Sequence, residues 1–153
     1  SDCINITNNQ NVSWLDSYRY KTGHLMVKVN SGKFSFKNIV LDTGSSIFPL
    51  TLTKENWLKV VSKKDAKNPP YKITVSAWGK ELTLEGAKPV KPICIGDACS
   101  KKPVYIDKTP NLAKAGIEGI AGNALFYDSY MIIFNFKNDS VGVLKSTSHK
   151  NSK

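Results

Sequence analysis

Apolar and polar residues alternate, or gather in short apolar runs, through most of the chain. Residues 24–29 form one apolar-rich run, and residues 34–41 alternate before ending in Ile39-Val40-Leu41. Alternation with a period of two is typical of a half-buried strand, and a short unbroken apolar run is typical of a buried one. Asn30-Ser31-Gly32-Lys33 lies between them and favours a tight turn. The pattern therefore predicts two consecutive strands joined by a turn.

Similar patterns predict strands in most of the remaining chain. A hairpin is predicted with strands at 73–76 and 81–84 and its turn at Ala77–Lys80. Residues 117–122 form an apolar segment punctuated by glycine. Further short strands are predicted at 90–95, 104–106, 130–136 and 141–144.

A helical pattern is confined to two short places. In residues 51–61, Thr53 can cap a helix, Glu55 lies in its first turn, and apolar residues follow on one face. A helical turn is predicted at 124–127, and residues 62–70 are predicted to be a polar connection. Because strands dominate, we expect an all-β fold with one or two short helices.

Polar segments at both ends leave one domain between them. We expect an irregular segment at 1–16, a domain at 17–145 and a polar tail at 146–153. The 153 residues are enough for one compact domain with a core. No apolar run approaches the roughly 20 residues of a membrane span, so no spanning segment is expected. The start of the chain does not have the pattern of a signal peptide.

The net charge of +10 comes almost entirely from lysine, since Arg19 is the sole arginine. Such a charge favours anionic partners. The lysines, however, are spread from Lys21 to Lys153, and no basic motif with interleaved aromatic residues is present. We therefore expect a solvated basic surface and no nucleic-acid partner.

The chain contains three cysteines, Cys3, Cys94 and Cys99. Gly and Asp between the last two favour a tight turn that closes a small disulfide loop. A zinc site would need about four ligands, and His24 and His149 lie far from the pair in sequence. We expect a disulfide and no metal, hence an oxidising compartment: secreted, or an endo-lysosomal or vacuolar lumen. Cys3 could pair with a second chain, pair with either of the others, or stay free.

Three triplets match the N-glycosylation pattern: Asn5-Ile6-Thr7, Asn11-Val12-Ser13 and Asn138-Asp139-Ser140. Such triplets arise often by chance, so the pattern alone assigns no site.

The candidate chemistry lies where the buried run ends, at Asp42. A carboxylate after three large apolar residues is costly to bury unless it is hydrogen-bonded or shares a proton. Gly44 permits a tight turn, and Thr43 and Ser45 place hydroxyl groups beside the carboxylate. The alternative is an aspartate that opens an ordinary turn through hydrogen bonds to Thr43 or Gly44. The spacing alone leaves both interpretations open.

The residues around Asp42 resemble the catalytic signature of pepsin-type and retroviral-type aspartic peptidases, in Leu41-Asp42-Thr43-Gly44-Ser45-Ser46. In these families an apolar-apolar-Gly segment crosses behind the catalytic loop, and Ile120-Ala121-Gly122 resembles it. Residues 122–143 are similar to the closing segment of pepsin-family chains. Ala121 departs from the family's usual leucine or isoleucine, and the spacing before Phe134 also differs. The resemblance covers about residues 20–145 and implies one aspartic-peptidase lobe with a β-barrel-like fold.

Pepsin-like enzymes have two similar lobes, and the resemblance favours the C-terminal one. The predicted hairpin is the candidate for the flap that covers the cleft, with Trp78 at its tip. Residues 70–84 nevertheless look more like the non-flap hairpin of the C-terminal lobe, and Ile47-Phe48-Pro49-Leu50-Thr51 is also similar to that lobe. The pair Ser45-Ser46 is more usual in the N-terminal lobe. A retroviral-type single-lobe peptidase is the second choice.

The resemblance implies a mechanism in which Asp42 supplies one of two catalytic carboxylates. The pair shares a proton, and its ionised member activates a water that attacks a peptide bond of the substrate. Asp107, Asp128 and Asp139 lack the flanking residues of the motif, so the second aspartate must come from a separate lobe or an identical copy. No metal and no organic cofactor are required.

The resemblance also implies roles for the neighbours of Asp42. Thr43 would bridge the two catalytic loops, Gly44 would let them approach, and Ser45 would hydrogen-bond Asp42. The residues expected to contact substrate are Ser45 and Ser46, and those expected to support the loop from behind are Ile120 and Gly122. The competing interpretation is a catalytically silent lobe that binds a peptide or protein.

Overall fold

The all-β class with two short helices is confirmed by a computed structural model, which describes residues 11–45, 48–77, 79–109, 111–126 and 130–145. The strands are β1 Val12–Trp14, β2 Ser17–Arg19, β3 Leu25–Ser31, β4 Phe34–Asp42, β5 Leu50–Leu52, β6 Tyr71–Ala77, β7 Lys80–Ala87, β8 Ile93–Ile95, β9 Ala98–Ser100, β10 Val104–Ile106, β11 Gly119–Gly122, β12 Tyr130–Asn135 and β13 Ser140–Lys145. The helices are α1 Lys54–Val60 and α2 Lys63–Lys67, and 3-10 turns lie at Ala113–Ala115 and Asn123–Leu125.

The strands form a ten-stranded mixed sheet and a smaller sheet of three. The larger sheet has the order β6-β7-β10-β5-β11-β4-β3-β8-β9, with β2 added to β3, and the smaller has the order β1-β13-β12. Most neighbours are antiparallel, but β11 runs parallel to β4, and β10 runs parallel to β5. The larger sheet follows an open path, and no closed barrel is found within the described ranges.

The main core lies where helix α1 packs against the larger sheet. Trp57 is 1% exposed, and its Nε1 donates a hydrogen bond of 2.8 Å to the carbonyl oxygen of Val104. Thr53 is the N-cap residue, as the sequence predicts, although its side chain makes no capping hydrogen bond. Val60 is buried with Trp57, whereas Leu58 is 48% exposed. The helix therefore buries a narrower apolar face than the sequence indicates.

Three local predictions are wrong in detail. The segment 1–16 was expected to be irregular, but β1 pairs antiparallel with β13. The connection 62–70 contains α2, because the Ser62 side chain accepts a hydrogen bond of 3.1 Å from the Asp65 backbone nitrogen and caps the helix. The strand predicted at 90–95 is reduced to β8, and Val90 is 61% exposed.

The predicted hairpin forms as β6 and β7. The two strands pair without interruption, from Tyr71 opposite Gly86 to Ala77 opposite Lys80. Its predicted tip residue, Trp78, lies outside the described residues, as do Tyr127 of the predicted helical turn and the tail 146–153. None of the helices in the described ranges is long and apolar enough to cross a membrane.

The disulfide predicted between Cys94 and Cys99 is present, with a sulfur–sulfur distance of 2.10 Å. The two cysteines face each other across the hairpin of β8 and β9, and Gly96 in its turn has a φ of 56°. A β-carbon at Gly96 would lie 2.6 Å from Leu15 Cδ2, so the hairpin turn packs closely against the residue that follows β1. The disulfide hairpin thus connects the two sheets.

Candidate active site

Asp42 is the last residue of β4, and its side chain is exposed. The three preceding residues are buried, with Ile39 at 0% and Val40 and Leu41 at 8% exposure. Asp42 therefore lies where a buried strand meets solvent, and a charged carboxylate there has no burial cost to offset.

The loop after Asp42 is closed by its own backbone. The Gly44 backbone nitrogen donates a hydrogen bond of 3.0 Å to Asp42 Oδ1, and the Ser45 backbone nitrogen donates one of 3.3 Å to the Asp42 carbonyl oxygen. The first bond forms the Asx-type turn of the alternative interpretation. Within the described ranges it engages only one carboxylate oxygen, so the loop orients the carboxylate while leaving Oδ2 available.

Strand β11 lies between β4 and β5, the two strands that the Asp42 loop connects. Its Gly122 is the register partner of Asp42 on β4, and its Ala121 pairs with both Leu41 and Leu50. The loop therefore joins two strands that do not pair with each other, and β11 crosses behind it. Ile120-Ala121-Gly122 thus lies on the strand between β4 and β5, and its support of a catalytic loop stays a prediction.

Gly122 brings the loop close to the end of β11. A β-carbon at this position would lie 2.3 Å from the Phe48 carbonyl oxygen and 3.1 Å from the Ser45 carbonyl oxygen. The Gly122 backbone nitrogen donates a hydrogen bond of 3.0 Å to the Pro49 carbonyl oxygen. Since no side chain fits between these backbones, glycine is required for the loop to pack here.

Asn123 holds the loop from the same side, and the sequence analysis assigned it no role. Its backbone nitrogen donates a hydrogen bond of 2.7 Å to the Ser45 carbonyl oxygen, and its side-chain nitrogen donates one to the Thr43 carbonyl oxygen. These bonds satisfy the carbonyl groups of Thr43 and Ser45. The position of Asn123 directly after the apolar-apolar-Gly segment indicates that it lies near the loop, but it does not indicate which hydrogen bonds it makes.

Ile120 and Ala121, the other two residues of the segment behind the loop, belong to different apolar clusters. Ile120 is half-buried against the cluster of Met26, Val40 and Ile117, on one face of the sheet. Ala121 is 0% exposed and belongs to the main core on the other face. The small side chain at 121, the departure from the family pattern, is therefore accommodated by the core without altering the crossing.

Among the described residues, the hydroxyl groups of Thr43 and Ser45 make none of the predicted hydrogen bonds. Thr43 contributes its carbonyl oxygen to Asn123, and Ser45 contributes backbone groups, while neither hydroxyl makes a hydrogen bond among the described residues. Their roles in bridging loops and tuning Asp42 stay predictions, and Ser46 lies outside the described residues.

The hairpin of β6 and β7 packs against the end of the Asp42 loop. Phe48 lies against a cluster formed by Val75, Leu84 and Tyr105, which Tyr71 also contacts. Burial raises the pKa of the Tyr105 hydroxyl, and the nearby Tyr71 raises it further. The loop is therefore held at its far end by an apolar and aromatic contact.

The chemistry of this site rests on a single carboxylate. In the described part of the chain no hydrogen bond joins Asp42 to a second carboxyl group, and no group of three or more His, Cys, Asp or Glu side chains is arranged to hold a metal ion. Asp107, whose backbone nitrogen donates a hydrogen bond to Leu52 of β5, accepts hydrogen bonds from the Thr51 hydroxyl at 3.5 Å and the Thr109 backbone nitrogen at 2.6 Å. That carboxylate is engaged in local structure.

Comparison with known proteins gives a partial similarity. No protein-family model matches the chain. A stretch of 78 residues, 48% of the chain, is 37% identical to replicase polyprotein 1a and to replicase polyprotein 1ab of Breda virus 1. The match spans 2% of the first polyprotein and 1% of the second.

Proposed function

We propose that the chain is one lobe of an aspartic endopeptidase, with Asp42 as one of its two catalytic carboxylates. The observation that carries the proposal is the crossing of β11 between β4 and β5. It sets Gly122 and Asn123 directly behind the Asp42 loop, where the peptidase resemblance requires an apolar-apolar-Gly segment. An ordinary Asx turn needs no such support.

The proposed reaction is hydrolysis of a peptide bond by an activated water. Two carboxylates held close together keep one proton between them, because both cannot ionise cheaply. The ionised carboxylate takes a proton from the water as it attacks the carbonyl carbon, and the protonated one donates to the carbonyl oxygen. The substrate is therefore a peptide or protein, and titration belongs to the pair.

The second carboxylate is proposed to come from another lobe or from an identical copy. Asp42 is exposed on this chain and has no carboxyl partner among the described residues. The similarity to replicase polyproteins supports a chain that is one segment of a longer polypeptide. Either a separate lobe or a second copy of the same segment would supply the carboxylate, and a polyprotein that contains the segment is a candidate substrate.

We place the lobe in an oxidising compartment. The disulfide between Cys94 and Cys99 joins the two strands of a hairpin that packs on β1, so the oxidised form supports the fold. A secreted protein, or one that faces an organelle lumen, satisfies this condition.

The direct test compares peptide cleavage by the wild type and by the Asp42→Asn variant at acidic pH. Loss of the carboxylate should lower the cleavage rate by about 10²–10⁴-fold or more. A statine-type inhibitor should block the wild type. Because Asp42 is exposed, the free energy of unfolding of the variant should lie within about 0.5 kcal/mol of the wild-type value.

The matched control is Asp97→Asn, which removes an exposed carboxylate from a different turn. It should leave cleavage unchanged. Full activity in Asp42→Asn would exclude the proposed role of Asp42.

A second candidate function is a catalytically silent lobe that binds a peptide or protein. The Asx-type hydrogen bond from Gly44 to Asp42 favours it, since this bond gives Asp42 a structural reason to be present. Such a lobe would bind a peptide without cleaving it, and Asp42→Asn would leave the affinity unchanged.

A further inference from the structure

The turn between β12 and β13 presents an asparagine side chain in a defined orientation. Asn138 is exposed, and its Oδ1 accepts a hydrogen bond of 2.6 Å from the Ser140 hydroxyl and one of 3.3 Å from the Ser140 backbone nitrogen. Both bonds use the carbonyl oxygen of the amide. Among the described residues no hydrogen bond uses the amide nitrogen, which leaves it for other chemistry.

This turn is anchored although it is exposed. The carboxylate of Asp139 accepts hydrogen bonds from the Arg19 guanidinium, and its backbone carbonyl oxygen accepts one of 3.3 Å from the Ser17 hydroxyl. Asp139 has a φ of 52°, in the left-handed region that aspartate tolerates better than most residues. Strand β2 thus holds the turn that carries Asn138.

A shallow cavity of about 350 Å³ lies beside the turn, lined by Trp14, Asn135, Asn138 and Ser140. Trp14 is 41% exposed, so part of its indole ring is accessible from this cavity. An exposed indole face beside amide and hydroxyl groups has the chemistry that holds a sugar ring, whose C–H face packs on the aromatic ring while its hydroxyls form hydrogen bonds. The cavity is at the small end of ligand sites, which suits one or two sugar rings.

The geometry points to Asn138 as the acceptor of an N-linked glycan whose first sugar packs against Trp14. The Asn138-Asp139-Ser140 triplet has the required sequence, and the disulfide indicates the oxidising lumen where such transfer occurs. This proposal is independent of the chemistry of Asp42.

The proposed donor of the glycan is an oligosaccharide linked to a lipid pyrophosphate. Asn138 Nδ2 attacks the anomeric carbon of the first sugar, forming a carbon–nitrogen bond. The bond between that carbon and the pyrophosphate oxygen breaks, the lipid pyrophosphate leaves, and the amide nitrogen loses one proton to the transferase. The modified asparagine then stays at the surface when the chain folds.

The test directs the chain into the secretory pathway with a cleavable signal peptide. The purified protein is treated with a peptide-N-glycosidase in heavy-oxygen water and then with trypsin. Cleavage after Lys137 and Lys145 releases the peptide 138–145, in which a glycosylated Asn138 becomes heavy-oxygen aspartate.

We expect the label at position 138 in the wild type and in Ser140→Thr, and its loss in Ser140→Ala. The matched variant Asn11→Gln, which removes another triplet, should keep it. An unlabelled Asn138 in a chain that has formed the Cys94–Cys99 disulfide in the lumen would overturn the proposal.

The contact between the first sugar and Trp14 is tested separately. The melting temperature is compared between chains made with and without an inhibitor of oligosaccharide transfer. The glycan should raise the melting temperature of the wild type and of Tyr18→Ala, which removes another aromatic side chain that is 41% exposed. It should give no increase in Trp14→Leu, which keeps apolar volume but has no ring face. An equal increase in all three proteins would refute the contact.

Discussion

Among single residues, Gly122 has the most direct control over the Asp42 loop. Its position is fixed by the Phe48 and Ser45 carbonyl oxygens, which leave no room for a side chain. The sequence indicated this residue through its place in an apolar-apolar-Gly segment. The role of Asn123 could not be predicted in the same way, because its hydrogen bonds to Thr43 and Ser45 depend on how two distant segments meet.

Replacing Gly122 with alanine should destabilise the fold and displace the loop. The added β-carbon would lie 2.3 Å from a backbone oxygen, so the free energy of unfolding should fall by about 1–3 kcal/mol. Cleavage should fall with it, since the loop carries Asp42. Urea denaturation and the peptide assay measure the two effects.

Gly44→Ala is the contrasting variant. Its β-carbon would lie 3.3 Å from Asp42 Oδ1, which can move because it belongs to a side chain. This variant should lose less stability than Gly122→Ala. Equal stability in Gly122→Ala and the wild type would contradict the close packing of β11 on the loop.

At the scale of elements, strands with alternating or unbroken apolar patterns were predictable, and elements that depend on distant partners were not. The run that became β4 and the hairpin of β6 and β7 follow from local patterns. Strand β1 has three residues in a polar context and exists because β13 lies beside it. Helix α2 buries no residue, so no apolar face could indicate it. The parallel pairing of β11 with β4 joins residues about 80 positions apart.

The hairpin of β8 and β9 should depend on its disulfide. The bond closes a short loop with a sequence separation of 5 residues, and the chain-entropy relation gives a stabilisation of about 2 kcal/mol for such a loop. The double variant Cys94→Ala/Cys99→Ala should lose about this amount in chemical denaturation. Cys3→Ser is the control and should retain the stability of the wild type, and a double variant as stable as that control would contradict the prediction.

The contact between β2 and the turn before β13 should stabilise the fold less as the pH falls. The hydrogen bond from Arg19 lowers the pKa of the Asp139 carboxyl below its ordinary value, against a smaller opposing effect of desolvation. A group whose pKa is lower in the folded chain stabilises the fold above its unfolded pKa, near 3.9, and this contribution is lost as pH falls through the folded pKa.

The melting temperature of the wild type should therefore fall more steeply below about pH 4 than that of Asp139→Asn. The difference should be small, because both side chains are exposed. Asp97→Asn serves as the control and should follow the wild type. Parallel pH profiles for the wild type and Asp139→Asn would show that the ion pair contributes nothing.

At the scale of the whole molecule, the proposed activity requires a second lobe. The fold class followed from the frequency of strand patterns, and the lobe resemblance followed from two short motifs that the structure brings together at β4 and β11. The second carboxylate of the proposed pair is expected on another lobe or copy, since no hydrogen bond joins Asp42 to a carboxyl group among the described residues.

The measurement that tests this account most directly is the cleavage rate of a peptide substrate at acidic pH, followed while Asp42→Asn protein is titrated into the wild type. If identical copies complete the site, the wild-type rate should rise with more than the first power of concentration, and the variant should suppress it by forming mixed pairs. If a separate lobe completes the site, cleavage should appear when that lobe is added and should depend on Asp42. Cleavage that Asp42→Asn performs alone, or no cleavage by the wild type at any concentration or with any added lobe, would contradict the proposal that Asp42 is half of a peptidase site.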